Sequence, residues 1–212
     1  MRNMNYFSRA ALLLGTVALL ATACDSGSKT SDPQASGKAD STAEAPKAEK
    51  KKNGLTWQDF SSEPGRYTIS IPGKPKEQTR KVPIPNGTQL DLNLANVEVS
   101  DAAYLVSYLD YPADLLGKVE PQKLLTQSLE GAVKNSIQGE ITKQEEMTIS
   151  GVPCRRFVAK GKVKAKNASA EGIFCLQDSR LYQVLAIGET KDVFPENAEE
   201  FLSSFNITKA GA

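Results

Sequence analysis

Cys24 is the residue whose type and position point most directly to chemistry. It follows three small residues, and an apolar run over residues 10–20 stands before them. Arg2 and Arg9 place positive charge ahead of that run. A positive start, a short apolar segment and small residues at a cleavage position are typical of a secretory signal. The sequence therefore predicts export, with Cys24 at the start of the mature chain.

The stretch Leu20-Ala21-Thr22-Ala23-Cys24 resembles the signal of bacterial lipoproteins, with alanine at position 21 where leucine is more usual. The resemblance implies removal of residues 1–23, a diacylglyceryl thioether on Cys24, and usually a further acyl chain such as palmitate on the new amino group. Two or three chains hold a protein far more firmly than one. The alternative is a retained transmembrane anchor, but the apolar run is shorter than the roughly 20 residues that span a bilayer. We expect a lipid-anchored domain in the bacterial cell envelope, outside the cytoplasm.

A series of alternating lysines is the second feature that could do chemistry. In an extended strand, alternate side chains project from one side, and Arg156 would continue the same face. The series consists of Lys160, Lys162, Lys164 and Lys166. We interpret it as an anion-binding stripe for lipid headgroups, a cell-wall polymer or an acidic partner. The alternative is an edge strand that lysines protect from aggregation.

Cys154 and Cys175 form an even pair in a chain predicted to leave the cytosol, which makes a disulfide plausible. If they face each other in one hairpin, the turn must fall near Lys164-Ala165 or a bulge must shift the register. Asn167, a few positions later, is the better turn residue. The alternative is two small buried apolar side chains.

Catalytic and metal sites find little support in the sequence. The chain contains no histidine, which excludes histidine triads, histidine acid–base chemistry and histidine metal ligands. Four acids near predicted strand ends could do glycosidic chemistry or bind calcium if they gathered in space, although their spacing resembles no calcium loop. These acids are Asp110, Glu145, Glu146 and Asp178. We expect a protein that is not an enzyme and that holds neither a metal nor a cofactor.

Composition divides the mature chain into a tether and a domain. Residues 24–53 comprise the lipidated cysteine and a polar segment that cannot bury a core and is predicted to be disordered. The lysines at 50–52 would either attract anionic lipid or polymer or form a solvated charge run. Residues 54–212 suit a single domain. The net charge of the whole chain is only +1, so nucleic-acid binding, which normally needs a strongly basic domain, is not expected.

The domain has the sequence pattern of an α+β protein with a mostly antiparallel sheet of about seven strands. Apolar residues at helical spacing predict a long helix that starts at Glu120-Pro121 and stops at Gly139, and a short one over residues 195–205. Asn86-Gly87 marks a hairpin turn. Strands are predicted at residues 66–71, 79–84, 89–99, 103–111, 140–149, 154–163, 170–176 and 181–187. We expect the strand at 103–111 to be central, because both of its faces are apolar. The strand at 181–187 is the most apolar stretch of the domain and should lie deep in the sheet.

This order of elements, with several short sequence pieces, resembles the PsbP-like α/β/α sandwich family over residues 60–207. The matching pieces are Tyr67 to Pro72, Tyr104 to Tyr111, Gly151-Val152-Pro153 with Arg156, Arg180 to Val184, and Phe194 to Phe205. The resemblance implies a non-enzymatic domain that docks on larger assemblies, without assigning binding residues.

Three functions remain open from the sequence. The first is a membrane-anchored binding or accessory module for an envelope protein complex or polymer. The second is a small-ligand carrier with a cleft between sheet and helix, lined by Tyr104, Tyr108 or Tyr182. The third is an enzyme that works without histidine. Trp57 and Phe60 are either an exposed aromatic handle for a partner or a cap on the core.

Overall fold

The computed structural model describes residues 50–84, 88–99, 101–116, 120–189 and 194–208. Within these residues the chain forms eleven strands and three helices. The strands are β1 (Lys50–Lys52), β2 (Leu55–Ser62), β3 (Tyr67–Pro72), β4 (Lys76–Pro83), β5 (Gln89–Val99), β6 (Ala102–Asp110), β7 (Glu140–Ile149), β8 (Val152–Val163), β9 (Lys166–Gln177), β10 (Arg180–Glu189) and β11 (Asn206–Ile207). The helices are α1 (Ala113–Leu116), α2 (Pro121–Ile137) and α3 (Phe194–Ser203). The predicted signal, Cys24 and the Asn86-Gly87 turn lie outside the described residues.

The strands form two sheets rather than the single sheet expected from the sequence. The larger has seven strands in the order β4-β5-β6-β10-β9-β8-β7, and the smaller has four in the order β1-β2-β3-β11. Every neighbouring pair is antiparallel. The α+β class and the seven-stranded antiparallel sheet are confirmed. The segment at 66–71 was predicted as part of that sheet, but as β3 it pairs with β2 and β11 in the smaller one.

The helix α2 covers one face of the larger sheet, where it packs on β7, β8 and β9. Its buried side chains recur every three or four residues, which is the spacing of one helical face. They are Leu125, Leu129, Ala132, Val133 and Ile137. The core on this side is mainly aliphatic, with Phe157 and Phe174 stacked edge to face.

The opposite face is covered by α3 and the smaller sheet, and its core is aromatic. The Tyr104 ring lies between Trp57 and Phe201, with ring centroids 6.0 Å and 5.2 Å away. Tyr67 and Phe205 pack against the buried Tyr182 at the other end of this layer. The large sheet is therefore covered by packed layers on both sides, which explains why its inner strands are apolar on both faces.

Strand β10 is the fourth of the seven strands, with β6 beside it. Residues Leu181 to Ala186 are all buried in β10. In β6, Tyr104 and Val106 face the aromatic side, while Leu105 and Leu109 face the aliphatic side. The prediction that these two strands lie deep in the sheet is confirmed.

Two boundaries differ from the predicted ones. The tether was expected to extend through Asn53, but Lys50–Lys52 pair with β2, so backbone hydrogen bonding begins earlier than composition indicates. The helix α2 ends at Ile137, and Gln138 rather than Gly139 takes the left-handed conformation. Gly139 is required for another reason: a Cβ there would lie 2.3 Å from the carbonyl oxygen of Lys160.

Candidate functional site: a lysine hairpin and the arginine cluster at its base

Strands β8 and β9 form a hairpin closed by a two-residue turn at Lys164 and Ala165. Both residues have positive φ, 49° and 67°, as the tightest hairpin turns require. This turn sets the register, which pairs Val163 with Lys166. The same register places Cys154 directly opposite Cys175, and the two are joined by a disulfide in the buried core.

The end of this hairpin extends past its paired neighbours, with Gly161 packed against the backbone of Ile137 and Gly139, and with Asp101 lining a depression beside Lys164 and Lys166. Pairing with β7 ends where Lys160 meets Glu140, and pairing with β10 ends where Ala168 meets Glu189. Beyond those points β8 and β9 pair only with each other within the described residues. We call residues 160–167 the hairpin tip. It carries four lysines and no acid, and all four lysines are exposed.

The structure does not keep the predicted stripe on one side. Lys160 and Lys162 share a face of β8, Lys164 lies in the turn, and Lys166 starts β9. Lys166 belongs to the opposite face, where its amine lies 2.5 Å from a carboxylate oxygen of Glu189. The prediction of a continuous row was wrong because the turn at 164–165 reverses the chain in the middle of it.

The alternative interpretation, an edge strand protected by lysines, applies to part of β8 only. Over most of its length β8 lies between β7 and β9, but residues 161–163 pair with β9 alone among the described residues. The edges of the large sheet are β4 and β7. Both carry mostly exposed, charged or polar side chains, which protects them from pairing with other chains.

Arg156 lies on the same face as Lys160, but carboxylates already surround it. Its Nη2 atom lies 2.5 Å from Glu199 on α3 and 3.7 Å from Glu171 on β9. Glu145 stands opposite it in the β7–β8 ladder and forms an ion pair with Lys143 at 3.4 Å. We call Arg156, Glu145, Glu171 and Glu199 the Arg156 cluster. Because its guanidinium is neutralised within the fold, Arg156 is not available as part of an anion site.

The two closest carboxylates of the Arg156 cluster differ in their electrostatics. The hydrogen bond from Arg156 lowers the pKa of Glu199 below its ordinary value. Burial raises the pKa of Glu171, with Arg156 opposing the shift and Glu199 adding to it. A shallow depression of about 230 Å³ lies beside them, lined by Lys143, Glu145, Arg156, Phe157, Val158 and Glu199. The cluster ties α3 to the sheet, and within it Glu171 holds its proton more tightly than an ordinary glutamate does.

The four acids considered for catalysis or calcium binding do not gather. Asp110 lies on β6 and Glu145 on β7, which are four strand spacings or about 19 Å apart across the sheet. Glu146 is the neighbour of Glu145 along the strand, so it points to the other face, where it pairs with Arg155 at 2.8 Å. Asp178 lies in the β9–β10 turn. Among the described residues, no group of acids, cysteines or histidines is arranged to hold a metal ion.

Asp110 instead belongs to a second arginine arrangement, which the sequence did not reveal. Arg180 donates two hydrogen bonds of 2.7 Å to the Asp110 carboxylate and a third of 2.7 Å to the backbone carbonyl of Pro64. Its guanidinium also lies 4.5 Å from the centre of the Tyr108 ring. The hydrogen bonds from Arg180 lower the pKa of Asp110. Arg180 thus joins β6, β10 and the β2–β3 turn.

The aromatic residues named from the sequence belong mainly to the core. Tyr104 and Tyr182 are almost fully buried among other rings, and burial raises the pKa of Tyr104 to about 12. Tyr108 lies under Arg180. Trp57 is 2% exposed, so it caps the core, and Phe60 packs partly buried against the same core. These side chains fill the space between sheet and α3 in which a ligand cleft was expected.

The architecture defined by these elements is an α+β domain of two antiparallel sheets and two main helices. No protein-family model matches the chain, and no curated protein is similar to it in sequence. The solution structure of cyanobacterial PsbP from Synechocystis is similar at a TM-score of 0.46 and 14% identity, covering 71% of this chain and 92% of that one. A protein of unknown function from Pseudomonas aeruginosa is similar at a TM-score of 0.39 and 12% identity, covering 66% and 88%. At these scores the likenesses carry no argument about function.

None of the helices in the described residues combines the length and the apolar character needed to cross a bilayer.

Proposed function

We propose that this protein is a lipid-anchored binding module of the bacterial cell envelope. Cys24 carries the anchor, residues following it act as the tether, and the two-sheet domain contacts a protein complex or polymer near the membrane. The observation that carries this proposal is the hairpin tip, which presents exposed lysines beyond the last neighbouring strand on either side. Basic groups that project from a rigid support are suited to recognise an anionic partner.

Two features favour binding over the other functions. The tyrosines suggested for a small-ligand cleft are packed against neighbouring rings. The acids suggested for catalysis each contact a different part of the sheet or lie in a turn. The large sheet, with charged edges and one hairpin that extends past its neighbours, offers a surface for docking. The candidate acids and tyrosines do not come together as a set of reacting groups.

The test is crosslinking in the bacterium that encodes the protein, followed by mass spectrometry of what co-purifies from membranes. Cys24→Ser removes the lipid acceptor, and Ser26→Ala is the matched control that leaves it in place. We expect a lipid adduct on the peptide that begins at Cys24 and a recurrent envelope partner, both retained in the control and lost with Cys24→Ser. An unmodified Cys24 would refute the anchor, and the absence of any recurrent partner would refute the binding module.

A further inference from the structure

The shallow depression of about 230 Å³ beside the Arg156 cluster presents both signs of charge. Lys143 lies 3.4 Å from Glu145 on one wall, and Arg156 binds Glu199 on the other. The side chains of Lys143 and Glu145 are 68% and 49% exposed, so their pair is weak and open to charged groups from solution. Val158 adds an apolar surface to the same depression.

Strand β7 carries a β-bulge at the edge of this depression. Ile141 stands opposite Ala159 and Lys143 stands opposite Val158, so Thr142 is the extra residue. Its hydroxyl donates a hydrogen bond of 3.1 Å to the carbonyl of Val158. Residues two apart in a regular strand share a face, yet Ile141 packs against the aliphatic core while Lys143 lines the depression. The bulge therefore re-aims Lys143, which is a common role of bulges beside active sites.

From this geometry we infer that the depression binds a compact zwitterion of the amino-acid type, with one ammonium and one carboxylate group. The ammonium group binds Glu145 and Glu199, and the carboxylate binds Lys143. A small side chain on the ligand contacts Val158. Arg156 keeps its own carboxylates and takes no part in binding the ligand carboxylate. This inference goes beyond the proposed function, since it needs neither the lipid anchor nor the hairpin tip.

A ligand with both charges suits this lining better than a simple cation or anion. Three carboxylates of the Arg156 cluster stand against Arg156 and Lys143, so an anion alone meets net negative charge. A cation alone takes Glu145 and leaves Lys143 without its partner. Glu171 is 12% exposed and lies 3.7 Å from Arg156, and burial still raises its pKa. An ammonium group beside the cluster supplies further positive charge where one arginine serves several carboxylates.

The test is a titration followed by the amide chemical shifts of the mature protein carrying Cys24→Ser. Alanine is the probe, and ethylamine and propionate are controls that each carry one of its two charged groups. We expect saturable shifts at residues 143–145, 156–158 and 199. Each control should bind about tenfold more weakly than alanine, because one charge-assisted contact is missing.

Matched variants on two exposed ion pairs separate a site from a general effect of charge. Lys143→Met and Glu145→Gln each remove one charge from the depression. Lys81→Met and Asp91→Asn remove the corresponding charges of a pair at the other edge of the sheet, where the side chains are 63% and 51% exposed. We expect the first two variants to bind alanine about tenfold more weakly and the other two to bind it as the wild type does. Unchanged amide shifts away from each replacement confirm that the variants are folded.

Three results would overturn the inference: no saturable shift with alanine, equal binding of alanine and ethylamine, or equal weakening in all four variants. A comparison with alanyl-alanine distinguishes two sources of the same chemistry. Stronger binding of alanine supports a free amino acid as the ligand, and stronger binding of alanyl-alanine supports a short peptide. Failure here is distinct from failure of the proposed function, because the lipid on Cys24 and the envelope partner are measured separately by crosslinking and mass spectrometry.

Discussion

Arg180 and Arg156 both tie the covering layer to the large sheet, but they are balanced differently. Arg180 meets one carboxylate, one backbone carbonyl and one aromatic ring, and its side chain is 11% exposed. Arg156 meets two carboxylates, with a third opposite it on β7, and it is 22% exposed. One carboxylate faces the arginine in the first arrangement, whereas carboxylates outnumber the arginine in the second.

The two arginines therefore differ in kind. Arg180 makes a structural contact, whereas the contact of Arg156 responds to the carboxylates around it. Every described group around Arg180 stabilises the guanidinium, so the contact is strongest when Asp110 is ionised. Around Arg156, Glu199 takes the close hydrogen bond and Glu171 remains half-buried at 3.7 Å. The Cys154–Cys175 disulfide joins the same two strands, β8 and β9, independently of the Arg156 cluster.

Removal of the disulfide should produce the largest change in stability. Cys154→Ala with Cys175→Ala opens a loop of 21 residues, and the loop-entropy relation predicts a loss of about 3 kcal/mol. The measurement is the free energy of unfolding in urea. Single alanine variants are the controls, since each also breaks the bond and should give nearly the same loss. A double variant within experimental error of the wild type would show that the bond does not stabilise the hairpin.

Replacement of Arg180 should rank second. Arg180→Met keeps most of the side-chain volume and removes three hydrogen bonds and the contact with the Tyr108 ring. We expect a loss of about 2 kcal/mol, since Asp110 is half exposed and water can replace its partner. Arg180→Lys keeps the charge without the forked geometry and should recover less than half of the loss. Full recovery of the free energy of unfolding in Arg180→Lys would mean that the positive charge alone accounts for the stabilising contact.

The sequence predicted those parts of the fold that depend on local periodicity. Strand β5 has the predicted bounds, and α2 shows the predicted apolar face, because both patterns repeat within a few residues. The smaller sheet was not predicted as a separate layer. Strand β11 has only two residues and β2 mixes polar and apolar side chains without regular alternation, so neither gives a strong periodic signal.

The candidate site was less predictable than the fold because it depends on distant pairs. Arg156 and Glu199 are 43 residues apart, and Arg180 and Asp110 are 70 apart. One sequence contains no signal that joins them. The lysine row failed for a different reason: Lys164-Ala165 is not a typical turn sequence, yet both residues adopt positive φ. The need for opposition of Cys154 and Cys175 was the one sequence feature that indicated a turn at this position.

Replacement of Arg156 should cost less than replacement of Arg180. Arg156→Met removes the close contact with Glu199, whose side chain is 55% exposed, and such pairs contribute little. It also leaves Glu171 without its nearest cation, so we expect a total loss of about 1 kcal/mol at neutral pH. The urea series used for Arg180→Met gives a direct comparison. A loss of unfolding free energy equal to or larger than that of Arg180→Met would contradict this ranking of the two arginines.

The double variant Arg156→Met with Glu171→Gln sharpens this comparison. If Arg156 acts mainly by offsetting the buried charge of Glu171, neutralising that charge should restore most of the lost stability. The single variant Glu171→Gln provides the reference for a thermodynamic cycle. Additive effects of the two replacements would show that Arg156 and Glu171 do not interact.

The smallest predicted effect concerns the free energy of unfolding as a function of pH. The contributions of Glu171 and Asp110 to it should change in opposite directions as pH rises. The pKa of Glu171 is raised above its ordinary value of 4.5 by burial. The folded state therefore binds its proton more tightly than the unfolded state does. The resulting stability is fully present below pH 4.5 and is lost as pH rises through the raised pKa. Asp110 behaves in the opposite way: Arg180 lowers its pKa below 3.8, so its contribution is present above pH 3.8 and is lost as pH falls through the lowered value.

The neutral amides Glu171→Gln and Asp110→Asn separate the two contributions. Unfolding free energies measured from pH 3 to pH 7 should fall less steeply above pH 4.5 in Glu171→Gln than in the wild type, by well under 1 kcal/mol at this partly screened site. Asp110→Asn should leave that upper range unchanged and flatten the acid side, because the group that must stay ionised has been removed. A steeper decline above pH 4.5 in Glu171→Gln would mean that Arg156 dominates the Glu171 carboxyl, and the two arginine sites would then be electrostatically alike.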